Sequence, residues 1–259
     1  LYVLSPIVLD YIALEKCDFI RDVFPKVLKD QKSIFAYNTT EYIKDVGTPE
    51  RIKQVGRHLK SGLVAQRNLI NPQKAFFLDR DGTVNEEIGL LSDVKNLKLI
   101  PGSENAIKKI NQSGFLAVCV TNQPVIARNL CDFKDLANIH KKLATLLGAG
   151  NAYLDRLYFC PHHPDKDYPE ERPEYKIKCT CRKPEIGMIK QAALDMNIDL
   201  SQSYIIGDRT VDIETGHRAG VKSILVKTGA GGKDGKFNST PDYCFNNLEV
   251  AIDSIIGNK

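Results

Sequence analysis

Two carboxylates one residue apart follow directly on the apolar run Ala75-Phe76-Phe77-Leu78, in the segment Asp79-Arg80-Asp81-Gly82-Thr83. Leaving a buried strand, carboxylates at i and i+2 can point into one site, and Gly82 lets the backbone turn sharply after them. Like charges this close repel in a partly dry setting and require a cation or a shared proton between them. Mg²⁺ meets that need, since hard divalent ions take oxygen ligands and keep several waters. One aspartate can then attack phosphorus as a covalent nucleophile while the other exchanges a proton with the leaving oxygen. Asp and Gly are also ordinary turn residues, so the segment draws its weight from three further clusters. Thr121-Asn122 offers a hydroxyl and an amide for phosphate oxygens. Arg182-Lys183 supplies fixed positive charge, and Gly207-Asp208-Arg209 with Asp212 adds another carboxylate for a metal. Asp208 or Asp212 alone would read as a helix-capping acid. Nucleophile, hydroxyl, cation and metal carboxylate together satisfy the requirements of phosphoryl transfer.

A second cluster is of a different kind. Cys160-Pro161-His162 and Cys179-Thr180-Cys181 place three thiols and one imidazole within 22 residues. Cys₃His ligation suits tetrahedral Zn²⁺, and such closed sites are structural. His163 is the alternative imidazole. Residues 164–178 are rich in charge and proline and have little to fold around, so metal ligation would organise them. The loop ends at Arg182-Lys183, so zinc there would position cations rather than react. Seven cysteines is an odd number, which disfavours a fully paired disulfide framework. Cys17, Cys119, Cys131 and Cys244 are scattered, and Cys119 lies in an apolar run as a core residue. The expectation is a reducing, cytoplasmic compartment.

These residues need elements to hold them. Apolar runs at Ala75–Leu78, Leu116–Val120, Leu157–Phe159, Tyr204–Ile206 and Ser223–Val226 read as strands. Helical spacing covers Ala106, Ile107 and Ile110, then Leu136, Ile139, Leu143, Leu146 and Leu147 behind a cap at Asp132 or Asp135. Further helices are expected over Glu185–Met196 and Val211–Ala219. Strands alternating with helices predict an α/β fold, a doubly wound parallel sheet covered on both faces. In such sheets the site lies beyond the carboxyl ends of the strands, and each polar cluster follows a strand. Residues 74–259 are read as this domain, residues 67–73 as a linker, and residues 1–66 as a small N-terminal appendage. The appendage is expected to carry strands at 2–4 and 34–37 and a helix at 7–12, too little to bury a core of its own.

The 259 residues carry a net charge of +4 with no long basic run, which excludes nucleic-acid binding by bulk charge. No apolar stretch approaches the roughly 18 residues that span a bilayer. The chain opens on Leu1 without a signal pattern, as though continuing from something longer.

At the level of motifs, the chain resembles the haloacid dehalogenase superfamily of phosphatases. The residues are Phe77-Leu78-Asp79-Arg80-Asp81-Gly82-Thr83, Val120-Thr121-Asn122-Gln123, Arg182-Lys183-Pro184 and Ile206-Gly207-Asp208. The resemblance implies an aspartyl-phosphate at Asp79, with Asp81 as general acid and then general base. Thr121 and Lys183 would hold phosphoryl oxygens, with Arg182 adding charge. Mg²⁺ would sit on the Asp79 and Asp208 carboxylates and the Asp81 backbone carbonyl. With the Cys160, His162, Cys179 and Cys181 half-sites added, the likeness narrows to the heptose 1,7-bisphosphate phosphatases and the similar histidinol-phosphate phosphatases. By that likeness Arg80, Glu87, Ile88, Gly89, Leu90, Asn122, Gln123 and Arg209 would face substrate. Pro124 and Val125 depart from the family's usual Ser-Gly, which bears on the substrate-facing turn.

A third resemblance covers Tyr2 to Pro6, Asp18 to Pro25 and Tyr42 to Arg51, which look like the closing segment of sugar-1-phosphate nucleotidyltransferases. It implies an upstream nucleotidyltransferase domain in a longer polypeptide, and Asp45 serves here as a turn residue. Two linked steps on an activated sugar favour heptose bisphosphate over histidinol phosphate as substrate. The expected function is therefore Mg²⁺-dependent removal of the 7-phosphate of a heptose 1,7-bisphosphate, with neither nucleic acid nor membrane as partner. Histidinol-phosphate hydrolysis is the rival reaction, and a non-catalytic docking domain for a transferase is the rival from another class.

Overall fold

The computed structural model describes residues 1–37, 39–165 and 171–257. The chain divides into two compact units, Leu1–Thr39 and Thr40–Lys259. In the first, a 3₁₀ turn at Pro6–Tyr11 precedes a π-helical turn at Phe19–Val23 and helix α1 (Phe24–Lys29). Asp18 caps the π turn by accepting from the Ile20 and Arg21 N–H groups. Tyr2, Phe19 and Phe24 cluster, with ring centroids 5.2–5.8 Å apart. Among the described residues, the strands expected at 2–4 and 34–37 are absent and the helix at 7–12 is a 3₁₀ turn. A strand without a partner ladder is not stable, and every named strand lies at Lys74 or beyond.

The larger unit begins upstream of the expected 66/67 boundary. It holds α2 (Pro49–Lys60), started by the Thr48 cap and a proline in the first turn, and the short α3 (Leu63–Gln66). Residues 67–73 are pinned at both ends. Arg67 forms a buried ion pair with Asp155 at 2.8 Å, and Gln73 exchanges backbone hydrogen bonds with Asn197 and Asp199.

From there the order is β1 (Lys74–Leu78), α4 (Ser103–Gln112), β2 (Phe115–Asn122), α5 (Phe133–Ala149), β3 (Arg156–Cys160), α6 (Gly187–Met196), β4 (Tyr204–Gly207), α7 (Thr210–Ala219), β5 (Lys222–Val226), β6 (Tyr243–Phe245) and α8 (Leu248–Ile256). The strands form one six-stranded sheet in the order β3-β2-β1-β4-β5-β6, and every pairing is parallel. Alternation along β1 divides its side chains between two cores. Phe76 and Leu78 pack with α4, α5 and α8, whereas Ala75 and Phe77 pack with α6. The chain reverses direction across the sheet between β1 and β4, where a crevice opens at the carboxyl ends. Asp132 caps α5, with Asp135 as its capping-box partner. Among the described residues, no helix is long and apolar enough to cross a membrane. The five expected strands and the domain helices are present; β6 and α8 are additional.

Candidate active site

β1 ends at Leu78, and the next residue, Asp79, still hands its N–H to the Ile206 carbonyl of β4 at 2.9 Å. This bond fixes the Asp79 backbone at the crevice. Lys183, buried like Asp79, donates Nζ to Asp79 Oδ1 at 2.6 Å and to Asp212 Oδ1 at 2.5 Å. Burial pushes the Asp79 carboxyl up to about 8, opposed by Lys183 and assisted by Asp212 and Asp208. Burial lowers the Lys183 pKa, but Asp212 and Asp79 outweigh it and raise the value overall, so the ammonium stays charged. With both carboxylates ionised, the single ammonium offsets only one of the two negative charges, so the buried set still calls for a further cation or a proton.

Asp81 is surrounded by donors. Arg80 reaches its Oδ2 at 2.9 Å, Gln123 Nε2 reaches the same oxygen at 2.9 Å, and Asn85 Nδ2 reaches Oδ1 at 2.9 Å. Gln123 also donates to Thr121 Oγ1 at 2.9 Å, so the Thr121 hydroxyl keeps its own proton free for an oxygen in the crevice. Asn122 clasps the main chain of Lys183: its Oδ1 accepts from Lys183 N at 3.0 Å and its Nδ2 donates to Lys183 O at 3.2 Å. The end of β2 therefore locks the lysine that reaches the end of β1.

Asp208 follows β4. Its Oδ2 accepts from Ala230 N at 2.6 Å, while its buried Oδ1 has no hydrogen-bond partner. Burial pushes this carboxyl up to about 7, against the Ala230 N–H and together with Asp212. Oxygens of Asp79, Asp208 and Asp212 all lie within 4.8 Å of one another. An orphaned carboxylate oxygen beside two more carboxylates fits a hard divalent cation. Two glycines make the room. A Cβ on Gly82 or on Gly229 would collide with Asp208 Oδ2, and both residues have positive φ, +82° and +56°.

The crevice is a cavity of about 390 Å³. Asp79, Asp81, Thr121, Asn122, Arg182 and Lys183 line its floor and side, and Glu87, Gly89, Leu90 and Arg209 line its rim. Arg209 donates to Glu87 Oε2 at 2.8 Å, joining the two rim segments. Three residues expected to face substrate do not line it. Arg80 is fully buried and Gln123 is 2% exposed, both spent on Asp81, and Ile88 points to solvent. Successive side chains of an extended segment alternate, so Asp79 and Asp81 share a direction that Arg80 cannot. Sequence reading undervalues Asp212, and it does not reach the rim residues Lys236 and Phe237. The spacing of Asp212, four after Asp208 on a starting helix, is the available signal. Val125 is buried with Ile126, Cys131 and Leu136, and non-glycine positive φ among the described residues is confined to Gln31, Asn129, Asn151 and Asn197. The chain thus turns after β2 without a glycine at position 125.

The thiol cluster assembles beside this cavity. Cys160 Sγ lies 3.5 Å from His162 Nδ1 and from Cys179 Sγ, and Cys181 Sγ lies 3.1–3.4 Å from the other three ligand atoms. Those spacings approach the edge, roughly 3.8 Å, of a tetrahedron with Zn–S bonds of about 2.3 Å. His163 stands apart from the cluster and lines the cavity. Arg182 NH1 donates to the His162 carbonyl at 3.0 Å, tying the cluster to the cationic wall. Residues 166–170 of the connecting loop lie outside the described residues.

The parallel sheet with a carboxylate pair at the end of its central strand, a buried lysine and a distal aspartate defines a haloacid dehalogenase-like phosphoric monoester hydrolase, and a family model described as "HAD-hyrolase-like" matches residues 180–251. The chain is 38% identical over 191 residues to the D-glycero-D-manno-heptose-1,7-bisphosphate 7-phosphatase of Thermosynechococcus vestitus, covering 71% of this chain and 96% of that protein. It is 41% identical over 159 residues to the D-glycero-beta-D-manno-heptose-1,7-bisphosphate 7-phosphatase of Haemophilus ducreyi, covering 61% and 85% respectively. A crystal structure of the D,D-heptose 1,7-bisphosphate phosphatase from B. bronchiseptica, complexed with magnesium and phosphate, superposes with a TM-score of 0.62 at 29% identity. It covers 72% of this chain and all of that one. The chain belongs to the D-glycero-D-manno-heptose-1,7-bisphosphate 7-phosphatase family.

Proposed function

We propose that the chain hydrolyses the 7-phosphate of D-glycero-D-manno-heptose 1,7-bisphosphate, with Asp79 as nucleophile and Asp81 as proton carrier. The observation that carries this reading is the buried Asp79–Lys183 pair on the floor of a cavity that also exposes Asp81 and Thr121. An Asp79 oxygen attacks phosphorus, the bond from phosphorus to the C7 oxygen breaks, and Asp81 gives that oxygen its proton. Water then yields a proton to Asp81 and attacks the aspartyl-phosphate, which frees phosphate and restores both carboxyl groups. Thr121 and Lys183 hold the phosphoryl oxygens, and Arg182 adds positive charge to the wall.

The Asp79 and Asp208 carboxylates and the Asp81 backbone carbonyl would hold Mg²⁺. Bound there, the ion neutralises charge on the transferring phosphoryl group. Cys160, His162, Cys179 and Cys181 would hold structural Zn²⁺. Glu87, Gly89, Leu90 and Arg209 form the rim against the sugar. The names and identities of the relatives support the heptose bisphosphate as substrate. The resemblance of the N-terminal segments to a nucleotidyltransferase tail supports a setting in activated-sugar synthesis, and the seven unbridged cysteines support the cytoplasm.

The test is phosphate release from heptose 1,7-bisphosphate and from histidinol phosphate with Mg²⁺ present. The reading expects at least tenfold higher kcat/KM for the heptose compound. A preference for histidinol phosphate would overturn the substrate, and no release from either would favour a docking role. Asp79→Asn is expected to abolish turnover while leaving the melting temperature within a few degrees.

A further inference from the structure

Arg80 is the largest fully buried side chain among the described residues, and the reaction gives it no direct role. Its guanidinium is satisfied entirely inside the fold. Nε and NH2 reach Asp81 Oδ1 at 3.2 and 3.0 Å, and NH2 also reaches Asp81 Oδ2 at 2.9 Å. NH2 meets Gln123 Oε1 at 3.0 Å, and NH1 meets His140 Nε2 at 3.2 Å. Gln123 closes the ring by donating back to Asp81 Oδ2. A guanidinium is planar and cannot be deprotonated, so fixing one end of its fork fixes the other. His140 sits on α5 next to the core residue Ile139, with its ring 5.5 Å from that of Phe159. Burial, with the Arg80 cation beside it, pushes His140 down to about 4. The ring is therefore neutral near pH 7, and Nε2 can accept from Arg80 with the ring proton on Nδ1.

We propose that Arg80, Gln123 and His140 form a buried frame that orients the Asp81 carboxyl for proton transfer, with His140 as a positioning residue acting through Arg80. The inference rests on the assignment of Asp81 as proton carrier. The frame links the helix on one face of the sheet to the acid at its edge. Without the His140 acceptor, the Arg80 fork loses its anchor on the helix side and Asp81 gains freedom to rotate. Misplacement by about 1 Å in such a step can cost up to 10²-fold.

The experiment compares kcat/KM for the heptose bisphosphate and for p-nitrophenyl phosphate, since kcat/KM reports the step up to departure of the leaving group. A sugar alkoxide needs its proton as the bond breaks, whereas p-nitrophenolate leaves unprotonated. His140→Leu is expected to lower the sugar-to-aryl ratio of kcat/KM about tenfold, and His140→Gln, which restores an acceptor, is expected to recover most of it. Parallel loss on both substrates, or no loss, would overturn the proposal. If His140→Leu does not fold, His140→Phe, which also lacks the acceptor, is measured in its place: a lowered ratio supports the frame, and parallel loss or no loss overturns it. Failure of the wild-type enzyme to release phosphate from either substrate would instead remove the reading on which the inference rests.

Discussion

Lys183 carries more of the site than its charge alone suggests, because its ammonium is shared between Asp79 and Asp212 and its main chain is clasped by Asn122. Lys183→Met would leave two buried carboxylates facing each other without compensation. The expected outcome is a loss of at least 10²-fold in kcat, together with lower thermal stability, measured by phosphate release and by melting. Lys183→Arg is not a conservative rescue, since the planar fork cannot occupy the point between two facing oxygens. At this scale the sequence is informative where a side chain leaves a strand end toward open space: Asp79, Thr121, Lys183 and Asp208 all stand where their motifs place them. It misleads where neighbours compete for direction. Arg80 and Gln123 look like substrate ligands because they flank reactive residues, yet alternation turns Arg80 inward and short contacts to Asp81 and Thr121 consume Gln123.

The elements show a similar division. The five long strands are legible because they are continuous apolar runs, as buried parallel strands must be. β6 has only three residues and is half exposed, so it leaves no such mark, whereas α8 carries Leu248, Ala251 and Ile252 at helical spacing behind an Asn247 cap. Asn247→Ala removes the acceptor for Val250 N and is expected to destabilise the fold by about 1 kcal/mol in urea melts. The thiol loop makes a separate prediction. Arg182 leans on the His162 carbonyl, so removing zinc with a chelator and then restoring Mg²⁺ should depress activity and increase proteolysis within the loop between Cys160 and Cys179. Full activity in zinc-free protein would remove the loop from any part in positioning the cations. Cys179→Ser should mimic the chelator and lower the zinc content per chain.

For the molecule as a whole, the compact units divide at Thr39, well before the sheet begins, and the stretch read as a linker is held to the sheet-bearing unit by a buried ion pair. The Arg67–Asp155 pair, with side chains 7% and 4% exposed, ties the stretch before the sheet to the loop entering β3. Asp155 Oδ2 also accepts from Ala117 N of β2. A linker boundary drawn from proline and polarity cannot register an ion pair spanning 88 residues. A chain beginning at Thr40 is therefore expected to keep kcat/KM within about twofold of the full chain. One beginning at Lys74 loses Arg67 and strands a buried carboxylate, a change on the order of 3 kcal/mol that a shift in denaturant midpoint would report.

The two glycines beneath Asp208 set limits on what variation this enzyme can tolerate. Any side chain at position 82 or 229 would be driven into the carboxylate that faces them, so neither position is open to drift or to library design. Leu90, Lys236 and Phe237 border the cavity and carry no such restriction. New substrate preferences, whether selected in nature or in a plate screen, should accumulate at the rim while the cradle stays invariant. Exploration of this scaffold is thus confined to its mouth.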